Sequence, residues 1–200
     1  IENFLNITKK EVAYFLGYFW ADGYIPINRN ISGTRNEIRL GIAEEDLIEI
    51  KNTLNKIGVW NYTTKKRGKN KLIGIASTHN SKLMDLLRDY DVHKKSHISA
   101  DKILSKIPES LKHYFFRGLV DGDGCIYISK DKFTKRLSIS SSYNQDWRYV
   151  ELLCEKLGIK PAIYKTIKNT GKSSSIEVCG NSSKVFGDYI YQNYEEDMIG

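Results

Sequence analysis

The 200 residues are 40% hydrophobic and 28% charged, with a net charge of +7, the balance of an ordinary folded protein of one large or two small domains with a polyanionic partner. No apolar run reaches the roughly 18 residues that cross a bilayer, and the opening IENFLNITKK lacks the basic start and apolar core of a secretory leader. Three widely spaced cysteines, Cys125, Cys154 and Cys179, form neither a CxxC pair nor an even framework, which excludes a disulfide- or zinc-stapled scaffold and predicts a reducing, intracellular setting.

Taken in chain order, the spacing predicts a helix over about Lys10–Asp22. Two alternating segments follow, YIPIN from Tyr24 and EIRLGIA from Glu37, in which Ile38, Leu40 and Ile42 share one face. EEDLIEIKNTLNKIG puts Leu47, Ile50, Leu54 and Ile57 on one helical stripe and stops at Gly58. VWNYTTKKR and KLIGIAS form strands around a turn at Gly68, and NSKLMDLLRDY closes as a helix. A basic connector, VHKKSHIS, comes next. His93 and His97 have the spacing of a metal pair, but no cysteine or carboxylate completes the set.

The remainder repeats the plan. Asp123 in GDGCI lies 101 residues after Asp22 in ADGYI, and Gly158 lies 100 after Gly58. Strands are expected near Cys125–Ser129, Arg136–Ser141, Ala162–Lys168 and Ser174–Val178. The expected division is a first repeat over 1–92, a connector over 93–108 and a second repeat over 109–200. The fold class is α+β: two pseudo-symmetric αββαββα repeats, each with a four-stranded antiparallel sheet, packed through the two opening helices.

Those two helices carry small residues four apart, Ala13, Gly17 and Ala21 in one and Gly118 and Gly122 in the other. Glycine inside a helix costs about 1 kcal/mol relative to alanine, and close approach of two backbones is the reason to tolerate it. Phe15, Phe19, Phe115, Phe116, Leu119 and Val120 then fill two half-cores. Such packing brings Asp22 and Asp123 together at two helix C-termini, where each opposes the dipole and the other acid. Hard divalent cations that keep open positions for water and phosphate would neutralise the pair. Gly23 and Gly124 are expected to end the helices in the left-handed conformation.

The stretches FLGYFWADG (Phe15 to Gly23) and FRGLVDGDG (Phe116 to Gly124) resemble the LAGLIDADG motif of homing endonucleases. Glycine is third, a small residue seventh, aspartate eighth and glycine ninth in each. The repeated αββαββα order resembles the single-chain, two-motif members. The resemblance implies that Asp22 and Asp123 bind Mg²⁺ or Mn²⁺ with help from the main-chain carbonyls of Ala21 and Gly122. It also implies a basic residue after the first repeat's last helix that stabilises charge on the phosphate; HKKS offers Lys95, or Lys94 beside it. The second repeat ends in YIYQNYEED, which has no such lysine. Trp20 departs from the acid often found sixth, which Asp121 keeps. Some members hold the attacking water with a polar residue at the end of the second strand; Ser141–Ser142 suits that place better than Ile42–Ala43, and the role is left open.

Strand alternation sets the outward face, the side away from the helices. In the first repeat it places Tyr24, Asn28, Asn30, Arg35 and Arg39 outward, with Ile25 and Ile27 inward. In the second it places Tyr127, Ser129, Arg136, Ser138 and Ser140 outward. These are hydrogen-bonding groups suited to base edges in a major groove. Lys65, Lys66, Arg67, Lys69 and Lys71 form a basic hairpin for phosphates, with Lys165, Lys168 and Lys172 as the sparser counterpart. The reading is a monomeric, site-specific double-strand DNA endonuclease in which metal-activated water cleaves the phosphodiester. The alternatives are an intron-RNA-binding maturase on the same scaffold and a cleavage-inactive DNA-binding regulator.

Overall fold

The computed structural model describes residues 4, 6–26, 37–67, 71–130, 134–169 and 171–193. Its elements run α1 (Lys10–Asp22), β1 (Gly23–Tyr24), β2 (Ile38–Ala43), α2 (Leu47–Ile57), β3 (Asn61–Arg67), β4 (Lys71–Thr78) and α3 (Ser81–Asp89). A connector with a short helix α4 (Asp101–Leu104) leads to α5 (Lys112–Asp123), β5 (Gly124–Ile128), β6 (Lys135–Ser142), α6 (Arg148–Lys156), β7 (Ala162–Lys168), β8 (Gly171–Cys179) and α7 (Asn181–Ile190). Two four-stranded antiparallel sheets result, ordered β1-β2-β4-β3 and β5-β6-β8-β7. The architecture is the expected α+β pair of repeats. Among the described residues no helix is long and apolar enough to cross a membrane.

Helices α1 and α5 pack backbone to backbone. A Cβ added at Gly17 would fall 1.8 Å from the Phe115 carbonyl oxygen, and one at Gly118 would fall 2.2 Å from that of Tyr14. At Gly122 it would meet the Ala21 Cβ at 2.6 Å. The small-residue stripes are therefore consumed by one seam. The flanking Phe15, Phe19, Phe115, Phe116, Leu119 and Val120 are all buried. Phe15 packs on Phe19 and Trp60 in the first half-core. Trp20 reaches across to Tyr149, which stacks on Phe116 and Trp147.

A polar tie crosses the same seam. The Tyr14 hydroxyl on α1 donates to Asp121 Oδ2 (3.0 Å), and the Tyr191 hydroxyl beyond α7 donates to Asp121 Oδ1 (2.6 Å). Arg117, fully buried, lies 3.9 Å from the same carboxylate and against the Tyr14 and Tyr191 rings. Burial pushes the Asp121 carboxyl up, and the two hydroxyls and Arg117 pull it back.

Some expectations need correction. Gly23 and Gly124 are extended (φ −73° and −89°), not left-handed, because each helix runs straight into a strand. Their glycines are needed for a different reason: a Cβ at Gly23 would strike Phe19 at 2.4 Å, and one at Gly124 would strike the Val120 carbonyl oxygen at 2.3 Å. The first strand is described only over Gly23–Tyr24; Ile25 is buried as expected and Ile27 lies outside the described residues. A 3-10 turn over Glu44–Asp46 precedes α2, so the helix begins at Leu47. In β5, Ile126 and Ile128 share the helix-side parity of Leu137, yet remain 54% and 58% exposed. The facing α7 leaves open space at Gly187.

Gly118→Leu should destabilise the whole fold, because the neighbour it would strike is main chain and cannot rotate away. Overpacking alone costs about 1–3 kcal/mol, and separation of the helices adds to it. Urea denaturation should show a midpoint well below the parent's; an unchanged midpoint would remove Gly118 from the seam.

Candidate active site and nucleic-acid interface

The seam sets Asp22 and Asp123 beside each other, each the last residue of its helix. The Asp22 carboxylate lies against the second helix: its Oδ2 is 3.4 Å from where a Gly122 Cβ would be. Asp22 is exposed, with Gly122 of the second helix against one carboxylate oxygen. Desolvation first, and then the charge of Asp123, push its pKa from 3.8 to about 7, with Lys95 opposing. Burial likewise raises Asp123, again opposed by Lys95.

Lys95 is the cation at this point. Its Nζ donates to the Phe19 carbonyl at 3.2 Å and to the Ala21 carbonyl at 2.5 Å, covering the C-terminal end of α1 where a positive charge is favourable. Desolvation lowers its pKa to about 8, while Asp123 and Asp22 hold it up. Lys94 instead turns to Asp91 at 2.9 Å, so the geometry separates the two lysines that the sequence left open.

The connector that carries Lys95 is anchored at both ends. Asp91, left-handed at φ 57°, accepts from Lys94 and Lys102 at 2.9 Å each, and these two bonds lower its pKa to about 2. Ser142 Oγ at the end of β6 donates to the Ser96 carbonyl (2.5 Å). Gln145 Nε2 donates to the Ile98 carbonyl, and Ser141 Oγ donates to Gln145 Oε1, both at 2.9 Å. Ser141 and Ser142 thus hold the connector, which is a use the sequence did not signal. Gln145, Asp91 and Lys102 were also missed; nothing in local spacing marks a long-range anchor. Among the described residues no group of three or more His, Cys, Asp or Glu is placed to hold a metal.

The outward faces follow from register. A Cβ at Gly74 would meet Leu47 of α2 at 2.8 Å, so that side of β4 faces the helices and the other faces out. Tyr24, 56% exposed, pairs with the exposed Arg39, which binds Glu37. Tyr127 pairs with Arg136, whose guanidinium lies over the Tyr127 ring and 3.7 Å from Glu177. Ser140 is exposed. Ser138 has outward parity but is only 9% exposed, because its short side chain sits on a central strand between Cys125 and Glu177. Ser129 is spent on its hairpin, where its hydroxyl accepts the Thr134 N–H.

In the basic hairpin Lys65 takes outward parity opposite Ile73, whereas Lys66 pairs with Leu72 on the helix side. Arg67 and Lys71 pair at its end. Asn28, Asn30, Arg35 and Lys69 lie outside the described residues. The second hairpin is divided. Lys165 pairs with the buried Ser174 and Lys172 with Ile167, so both take the helix-side parity and lie over the Tyr143 ring. Only Lys168, opposite Gly171, has outward parity.

With this geometry established, residues 110–190 match the family model of a LAGLIDADG-like domain. No curated protein sequence matches the chain. Solved structures of similar fold include an I-DmoI variant in complex with its target DNA in the presence of magnesium, at 18% identity and TM-score 0.58, covering 92% of this chain and 96% of that one. The homing endonuclease I-WcaI bound to its DNA recognition sequence is 17% identical with TM-score 0.57, covering 92% and 81%. The N-terminal LAGLIDADG domain of DUF199/WhiA is 15% identical with TM-score 0.54, covering 98% and 92%.

The raised pKa of Asp22 has a stability consequence. The folded chain keeps that proton up to about pH 7, whereas the unfolded chain releases it near its ordinary 3.8. Between those values the folded state holds the extra proton, so stability falls as pH rises, and above them the loss is constant. Asp22→Asn should therefore stabilise the chain in EDTA more at pH 8 than at pH 4, read as the shift in urea midpoint. Equal shifts at both pH values would mean that the carboxylate is not strained.

Proposed function

We propose that this chain, whose residues 110–190 are a LAGLIDADG-like domain and whose fold is that of the LAGLIDADG homing endonucleases, is a site-specific double-strand DNA endonuclease dependent on Mg²⁺ or a similar hard cation. The observation that carries the reading is the enforced meeting of Asp22 and Asp123 at the end of the seam.

The residues fit a hard divalent ion. Two carboxylates, partly desolvated and set against each other, would supply oxygen ligands together with the Gly122 carbonyl and leave the remaining positions for water and phosphate; the Ala21 carbonyl is taken by Lys95 instead. When bound, the ion supplies Lewis-acid polarisation of the phosphodiester. Asp22 and Asp123 would hold it in place. Lys95, fixed on the Ala21 carbonyl, puts a positive charge beside the pair and would stabilise the negative charge that grows on the phosphate. The two outward sheet faces would each take one half of the target. Arg39 and Arg136 would reach base edges, and Lys65 and Arg67 would grip phosphates.

Asp22→Asn or Asp123→Asn should abolish linearisation of a target-bearing plasmid in Mg²⁺ while leaving DNA binding largely intact, since affinity comes from the basic surface. Full linearisation by either variant would defeat the assignment. Replacing Lys65, Lys66 and Arg67 with alanine should weaken binding to all sequences alike. It should also flatten the log–log salt dependence by about 0.9 for each phosphate that is no longer neutralised. An unchanged slope in a salt titration would remove the hairpin from the phosphates.

A further inference from the structure

The outward face of the first sheet carries an apolar row where a surface that only hydrogen-bonds DNA would have polar groups. Its register reads Gly41–Ile75–Thr63 across β2, β4 and β3, followed by Ala43–Ile73–Lys65. Gly74, between the two isoleucines, faces Leu47 of α2, which fixes Ile73 and Ile75 on the side away from the core. Both are half-buried by their strand neighbours and still reach solvent. At Gly41 an added Cβ would meet nothing within 4 Å, so open space lies above the strand immediately beside Ile75. Glycine inside a strand often marks a place where a ligand comes close to the backbone. Ala43 and Thr63 add a methyl each at the edges of this strip, and Lys65 borders it.

The second sheet is built differently at the matching places. Gly23 pairs with Leu40 and Gly124 with Ile139, so Gly41 corresponds to Ser140. The corresponding rows are Ser140–Ser175–Tyr164 and Ser142–Ser173–Thr166. Hydroxyls replace every aliphatic group of the first face.

In the major groove one base pair feature is apolar, the 5-methyl group of thymine. We propose that the Gly41–Ile75–Thr63 and Ala43–Ile73 rows are a thymine-methyl reader, and that the half-site bound by the first sheet contains thymines which the protein recognises by their methyl groups. The half-site bound by the second sheet is read through hydrogen bonds from Ser140, Ser175, Ser173 and Tyr164, without dependence on the methyl, while the Ser142 hydroxyl stays on the connector. The inference rests on the DNA-binding reading and narrows it. Uracil lacks the 5-methyl group, so this face suits DNA and has no use for its apolar rows on RNA.

The test begins with selection of bound duplexes from a random library made with thymine. The preferred duplex is then resynthesised with deoxyuridine for thymidine in one half, in the other half, or in both. Base pairing is unchanged and only methyl groups are removed. Affinity should fall by about fourfold for each methyl that the face touches, the effect of one buried carbon, in one half alone. The double variant Ile73→Ser with Ile75→Ser, on a solvent-facing side and checked for an unchanged thermal midpoint, should still bind duplex DNA but lose the thymine–uracil difference. Equal affinity of the native chain for the thymine and uracil duplexes overturns the inference, as does a difference that survives in the double variant. Equal binding of an RNA of the same sequence also overturns it. A selection that enriches no sequence at all overturns the DNA-binding reading beneath it, so the two failures can be told apart.

Discussion

The feature on which the molecule depends is the absence of side chains between α1 and α5. At Gly17 and Gly118 the opposing carbonyl oxygen occupies the space of a Cβ. Each glycine lowers helix propensity by about 1 kcal/mol, which the fold accepts because the close approach has a geometric product. Two helices packed this tightly have little freedom to slide or to splay. Their C-terminal ends are held in a constant relation, and with them Asp22 and Asp123. Each sheet follows directly from its helix, since Gly23 and Gly124 are at once helix caps and first strand residues. One seam therefore sets both the acidic pair and the mutual position of the two outward faces.

That product carries an electrostatic cost, and the fold answers it unequally. Two helix C-termini and two carboxylates meet in one place. Lys95 neutralises part of this by donating to two carbonyls at the end of α1. Desolvation lowers its pKa to about 8 and the two aspartates hold it up, while Asp91 and the second repeat's Ser142 and Gln145 pin the connector that carries it. The second repeat thus holds in place the lysine that serves the first helix. At the seam's side Asp121 is satisfied by Tyr14 and Tyr191, so it is a structural acid, unlike its neighbour two residues on.

The sequence made legible what recurs at short range or twice. Helical spacing in α2, strand alternation around Ile38, Leu40 and Ile42, and the two glycine–aspartate stretches all encode local geometry, and the repeat supplied a second reading of each. It did not reveal what depends on partners distant in the chain. The left-handed expectation for Gly23 and Gly124 followed the usual helix ending, whereas the actual requirement is clearance from Phe19 and Val120 one turn back. Lys165 and Lys172 were grouped with Lys168 by charge alone, and only the pairing of β7 with β8 shows that they take the opposite face. Ser138 has the expected parity, but its exposure is decided by Cys125 and Glu177 on neighbouring strands. Arg117 sits inside the motif stretch in plain view, and one of the rings it lies against, Tyr191, is far along the chain.

Pseudo-symmetry in the backbone and asymmetry on the surface serve different ends. The seam needs two near-identical helices, because only matched small residues let both backbones approach equally. The outward faces have no such constraint, since strand pairing uses main-chain groups and leaves outward side chains free to vary. The first face combines arginine, isoleucine and lysine, and the second combines serine, tyrosine and an Arg136–Glu177 pair. A homodimer of one repeat would carry the same chemistry on both outward faces. Joining two repeats in one chain keeps the symmetric packing that aligns the acids while removing the requirement that the two outward faces be alike.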